Sequence, residues 1–170
     1  YGKLVGQLGG LFETGPDVGT SPDDMDIISE TGDPYIFCRT PAKGGAGDSG
    51  PATALGVLSG MQAVCEQLFS DPSLEGKRVL VQGVGSVGKP LIRLLLEAGA
   101  EVLFSEIDEK AATHFRDEKG LKFIQPAKIF DTPCDIFAPC ALGGILNTDT
   151  IPGLKCLAVN VILMKASLLF

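Results

Sequence analysis

The stretch VQGVGSVGKPL, Val81 to Leu91, spaces three glycines as Gly83-x-Gly85-x-x-Gly88. It follows a short β-rich run, Arg78 to Gln82, and opens a segment, Lys89 to Glu97, whose apolar residues recur at helical spacing until Gly99. Alone the glycine pattern is weak; a strand before it and a helix after it give it meaning. Gly83 permits the tight turn, a side chain at Gly85 would block a pyrophosphate, and Gly88 lets the helix pack close to the strand. The helix start at Ser86 and Val87 then presents N–H groups and a positive dipole end to phosphate oxygens. Such a site also needs an acid about 20 residues on. Glu106 stands 23 positions after Gly83, at the end of the next β-rich run, with Asp108 as a second candidate. A carboxylate there accepts the hydroxyls of an adenosine ribose and repels a 2′-phosphate, which points to NAD over NADP. The same loop also serves FAD, and the adenine end does not separate the two.

Working outward, Glu101–Ser105, Lys122–Ile124, Cys134–Ala138 and Leu157–Val161 read as further strands, and Glu109–Glu118 as a helix. His114 falls in that helix and is expected at its surface. Short apolar strands alternating with helices imply an α/β fold, a Rossmann-type parallel sheet covered on both sides. Upstream, Pro51 sits at the first position of a helix capped by Ser49 or Gly50, with Leu55, Leu58, Met61, Cys65 and Leu68 as its apolar face. Residues 1–50 read as irregular, apart from a helix start at Ser21-Pro22-Asp23-Asp24. The expected organisation is residues 1–50, a connecting helix within 51–75, and a sheet domain over 76–170. That last span is short for two full mononucleotide-binding halves, so the sheet is expected to be incomplete at its C-terminus.

The chain has 170 residues and a net charge of −7, with no cationic stripe to meet phosphates, which argues against nucleic acid. Its apolar runs are too short to cross a bilayer and it opens with no secretory pattern, so neither a membrane nor export is expected. It begins at Tyr1, as a fragment or a processed form would. Five cysteines without a CxxC, and a single histidine, predict no metal site and reduced thiols in a cytoplasmic protein.

Four stretches carry a resemblance: TGPDVGTSPDDMDII (14–28), GGAGDSGPATALGV (44–57), LEGKRVLVQGVGSVG (74–88) and CDIFAPCALGGILN (134–147). The chain resembles the leucine, valine and phenylalanine dehydrogenases, relatives of glutamate dehydrogenase. The resemblance implies NAD-dependent oxidative deamination of an amino acid to a 2-oxo acid and ammonia, with an apolar side chain expected from the leucine and phenylalanine branch. It makes residues 1–50 the end of the substrate domain and implies a homo-oligomer. It assigns Asp17 to proton transfer with the substrate amine and the carbinolamine; the residues alone favour instead a turn-capping acid beside Gly19. It places Thr53 near the nicotinamide carboxamide, against the alternative of a helix threonine bonding its own preceding turn. It makes Cys140, Ala141 and Leu142 the loop under the nicotinamide ribose, with Cys140 a packing residue, and brings Asn147 toward the same side. Asp23, Asp24 and Asp26 are expected to be structural.

Two departures bear on activity. The family's pair of catalytic lysines lies in a glycine-rich context that neither Lys3 nor Lys43 shares. After LKC at 154–156, the sequence LAVNVILMKASLLF leaves the family pattern and ends in an apolar tail, Val161 to Phe170. The chain is therefore expected to be truncated at both ends and to lack turnover by itself. The alternative is a non-catalytic or vestigial NAD-binding fragment.

Overall fold

Two strands, β1 (Arg78–Gln82) and β2 (Glu101–Ser105), form at the runs of valine, leucine and phenylalanine that flank the glycine segment. They join β3 (Lys122–Phe123), β4 (Cys134–Pro139) and β5 (Cys156–Val159) in a parallel sheet of order β3-β2-β1-β4-β5. The computed structural model describes residues 1–116 and 121–161, apart from the side chain at 114. The surface expectation for His114, the end of the expected helix at Glu118 and the tail beyond Val161 lie outside the described residues. Gln82 is level with Ser105 on one side and Pro139 on the other, so β1, β2 and β4 finish at one edge. This is a parallel α/β sheet of the Rossmann kind, the class expected from the alternation of strands and helices.

Helices cover one face of this sheet. α3 (Gly50–Phe69), α4 (Gly88–Glu97) and α5 (Glu109–Arg116) pack over Val79, Val81, Val102, Phe104, Ile136 and Ala138. Phe104 anchors that layer, its ring 5.9 Å from Phe115 and 5.4 Å from Phe123. The opposite face buries Leu80, Leu103 and Phe137 beneath Ile129, Phe130, Ile145, Leu146 and Leu154. The covering chain there is irregular, with 3-10 turns at Pro126–Lys128 and Ile151–Gly153 and no α-helix among the described residues. Both faces are covered, as the sequence suggests, but among the described residues only one by α-helices. Pro126, Pro133 and Pro152 interrupt the connections around β4 and lack the N–H a helix interior needs, and Gly143 and Gly144 lower the helical propensity of the segment after β4.

The buried side of α3 matches expectation at Met61 and Cys65, with Leu58 half-buried beside them, and departs from it at Leu55 and Leu68. Ala54, Val57, Met61 and Cys65 face the sheet, while Leu55 and Leu68 are 53% and 47% exposed. The helix is apolar nearly all round, so periodicity left its phase open. The small Ala54 and Cys65 side chains let that face approach closely.

The chain divides into two compact units, the second starting at Gly50. The first, Tyr1–Ser49, packs α1 (Gly2–Gln7) on α2 (Pro22–Gly32) around Val5, Met25 and Ile36. The helix α1 lies in a stretch the sequence presented as irregular. Its glycines are what the contact needs: a Cβ on Gly2 would collide with the Ile28 carbonyl oxygen of α2. At the start of α2, Ser21 and Asp24 exchange bonds as a capping box, and Pro22 occupies the first turn.

Candidate functional site

The turn after β1 is tied to the strands on both sides. The Gly83 N–H donates to the Ser105 carbonyl at 2.8 Å, and the Cys140 N–H donates to the Gln82 carbonyl at 2.7 Å. Gly83 has φ +92°, in the left-handed region that favours glycine, and a Cβ there would lie 3.0 Å from the Ala141 side chain. A Cβ on Gly88 would strike the Gly83 carbonyl oxygen, so the first turn of α4 rests directly on the strand exit. Gly50, at the start of α3, is pressed against Ser86 in the same way. Three of the glycines around this loop are thus required by protein packing.

Gly85 is different. A Cβ there would meet nothing within 4 Å, and its φ is not in the left-handed region. Neither packing nor backbone conformation explains a glycine at this place. The open space lies ahead of α4, whose ladder begins with the Lys89 N–H donating to the Gly85 carbonyl at 3.1 Å. The amides of a helix's first turn have no partner within the helix and favour an anion. The loop therefore fits the pyrophosphate of a dinucleotide.

Glu106 projects from the end of β2 against the same loop. Its carboxylate accepts the Val84 N–H at 2.9 Å, the Ile107 N–H at 2.7 Å and the Asp108 N–H at 2.9 Å. Three amide donors fix the charge in place, and a carboxylate has about four lone-pair positions, so one remains for a ribose hydroxyl. Asp108, the second candidate, instead accepts the Lys110 and Ala111 N–H groups at 2.8 and 3.0 Å and caps α5.

Gly83, Gly85, Ser86, Val87, Gly88, Glu106, Cys140 and Ala141 come together at this edge of the sheet, and Thr53 lies in the first turn of α3, beside Gly50. Burial pushes the Cys140 thiol up to about 12, which disfavours its thiolate at neutral pH and suits a packing residue. Asn147 is engaged locally. Its side chain is spent within its own turn, accepting from the Asp149 and Thr150 N–H groups and donating to the Gly144 carbonyl.

Asp17 belongs to the first unit and is exposed. Its Oδ1 accepts the Val18 N–H at 2.8 Å, and its carbonyl and N–H both bond the Thr20 hydroxyl. The turn holds the carboxylate at the surface. Asp24 caps α2, and Asp26 binds Thr40 through both the N–H, at 3.0 Å, and the hydroxyl, at 2.6 Å. Both therefore stabilise the unit's own chain.

Three residues at the edge escaped the sequence reading. By sequence Gly50 fits a helix cap and Ser105 the end of a strand. Gln82 ends β1 with a buried amide oxygen that has no partner among the described residues, an acceptor left unmet at the base of the loop. A glutamine closing the otherwise apolar run Val79–Val81 was the visible signal. Among the described residues no cluster of His, Cys, Asp and Glu could hold a metal ion, and no helix is long and apolar enough to cross a membrane.

The pattern of the Glutamate/Leucine/Phenylalanine/Valine dehydrogenase family matches residues 44–120. A leucine dehydrogenase of Thermoactinomyces intermedius is 46% identical over 158 residues, 93% of this chain and 43% of that protein. A phenylalanine dehydrogenase of the same organism is 39% identical over 161 residues, 93% of this chain and 43% of that protein. The crystal structure of the L-tryptophan dehydrogenase of Nostoc punctiforme superposes with a TM-score of 0.72 at 38% identity, over 95% of this chain and 45% of that one. The chain thus spans less than half the length of the relatives it matches.

Proposed function

The chain belongs to the glutamate/leucine/phenylalanine/valine dehydrogenase family, and on that premise we propose that it is part of an NAD-dependent enzyme deaminating an apolar L-amino acid. The reaction yields the 2-oxo acid and ammonia. Leucine, valine and phenylalanine are the substrate class, the functional protein is a homo-oligomer, and its setting is the cytoplasm. The observation that carries the cofactor assignment is Gly85, a glycine with open space before it in a loop whose other glycines are packed.

NAD, when bound, supplies the two-electron acceptor for the α-carbon of the amino acid. The residues of this chain bind and orient. The start of α4 holds the pyrophosphate, and Ser86, against Gly50, sets the distance of α3 from it. Glu106 takes a ribose hydroxyl and sets a fixed negative charge where NADP carries its 2′-phosphate. Thr53, in the first turn of α3, would bond the carboxamide. Cys140 and Ala141 give the ring end an uncharged floor, because the Cys140 thiol stays protonated. Asp17 exchanges a proton with the substrate amine, a task its exposed carboxylate suits.

Titration of the 170-residue chain with NADH and NADPH, followed by nucleotide fluorescence, tests the cofactor reading. Saturable NADH binding at least about tenfold tighter than NADPH binding is expected from the charge at Glu106. A folded chain that binds neither nucleotide overturns it. The substrate class is tested by turnover of leucine, valine, phenylalanine and glutamate with NAD in the longer protein, where glutamate as the best substrate contradicts the apolar assignment.

A further inference from the structure

Cys134 and Cys156 stand opposite each other in the register of β4 and β5, at the end of the sheet away from the glycine loop. The Cys134 N–H donates to the Lys155 carbonyl at 3.0 Å, which fixes that register, and among the described residues β5 is an outer strand of the sheet. Neighbouring strands lie about 4.8 Å apart, within the roughly 4.4–6.8 Å between Cα atoms that a disulfide spans. Register partners project to the same face, and both side chains join the apolar cluster of Leu80 and Phe137. Both are free thiols; Cys134 is buried and Cys156 half-buried, so a reagent from solvent meets Cys156 first.

We propose that Cys134 and Cys156 form a dithiol switch that closes into a cross-strand disulfide and locks the outer strand to the sheet. The oxidant is a low-molecular-weight disulfide. The Cys156 thiolate attacks one of its sulfurs, the reagent's S–S bond breaks, and the departing thiolate takes up the proton that Cys156 lost. The Cys134 thiolate then attacks the Cys156 sulfur of this mixed disulfide. The second reagent thiolate leaves with the proton from Cys134. The two cysteines lose two electrons and the reagent becomes two thiols. The ring so closed contains the loop from Cys140 to Asn147, so both strands carrying that loop are joined at their far ends. Burial raises both thiols, Cys134 to about 12 with the neighbouring Cys156 adding to the effect, so the pair closes slowly at neutral pH and faster in alkali.

The test needs neither cofactor nor substrate. The 170-residue chain is held with oxidised glutathione at alkaline pH, alkylated, digested with trypsin and mapped by mass spectrometry. The expected product joins the peptide Ile129–Lys155 to Cys156–Lys165 through Cys134 and Cys156, with Cys140 alkylated. Its thermal midpoint rises by about 10 °C and returns with dithiothreitol. The closure rate falls about tenfold for each pH unit lowered. Cys156→Ser abolishes the link and Cys140→Ser leaves it intact. A stable glutathione adduct on Cys156 beside a free Cys134, two separately alkylated thiols, or a link through another cysteine each overturns the proposal. The wild-type map decides it even if a variant does not fold.

Discussion

The half of the sheet built by β1, α4 and β2 and the half built by β4 and β5 end at the same edge and hold it in different ways. In the first half the crossover is a helix, with Leu91, Ile92 and Leu95 fully buried. Its loop is tied to β2 by the Gly83–Ser105 and Val84–Glu106 bonds. In the second half the crossover from Cys140 to Lys155 has no α-helix among the described residues, and Leu142 is exposed. Asn147 and Thr150 stitch its turn to itself, while the Cys140–Gln82 bond ties its start to β1. A phosphate site needs amide donors held by the scaffold. The loop after Cys140 instead keeps its shape largely through its own hydrogen bonds.

That contrast can be broken at several points. Phe104→Ala on the helical face is expected to cost about 3–5 kcal/mol, because it removes the ring that Phe115 and Phe123 pack against. Phe137→Ala, under the irregular covering, is expected at the lower end of that range, since loops collapse into a cavity more readily than helices. Urea denaturation of the two variants ranks them, and a larger loss at Phe137 reverses the stated order of the two faces. Gly88→Ala is expected to cost about 1–3 kcal/mol, as its Cβ would strike the Gly83 carbonyl.

Glu106→Gln weakens a charge-assisted bond to Val84 and is expected to cost about 1–2 kcal/mol. It should also narrow the preference for NADH over NADPH, and titration with both nucleotides reads that directly. Alkali should act on the second half. Cys134 and Cys140 are raised from an ordinary value near 9 to about 12, so the folded chain keeps protons that the unfolded chain releases. Their contribution to stability is complete below pH 9 and is lost as pH rises toward 12. Melting curves across that range check it, and Cys140→Ala should flatten the decline. The smallest effect belongs to Gly143→Ala, whose Cβ would meet nothing within 4 Å. A change within about 0.5 kcal/mol is expected.

The first half was legible because its strands are bounded by turn glycines and its helix by a single apolar stripe. β1 and β2 lie over the residues their composition indicated. What stayed hidden has tertiary causes. Gly2 and Gly6 lower the helical propensity of α1, yet they let it approach α2, a contact that no local pattern announces. The phase of α3 was set by which small residues could meet the sheet, leaving Leu55 and Leu68 outside. At the site, the glycine spacing and Glu106 could be read from the chain. That Gly85 differs from Gly83 and Gly88 could not, since it depends on which atoms lie beyond each missing Cβ.

Gly85→Val tests the central claim most directly, with chemical denaturation and NADH titration run on the same sample. The account predicts stability within about 0.5 kcal/mol of the parent and NADH binding weakened by about a hundredfold or more, because the side chain enters space kept for the pyrophosphate. A folded variant that binds NADH as well as the parent would contradict it. A variant that unfolds would show that Gly85, like its neighbours, is a glycine for the sake of packing.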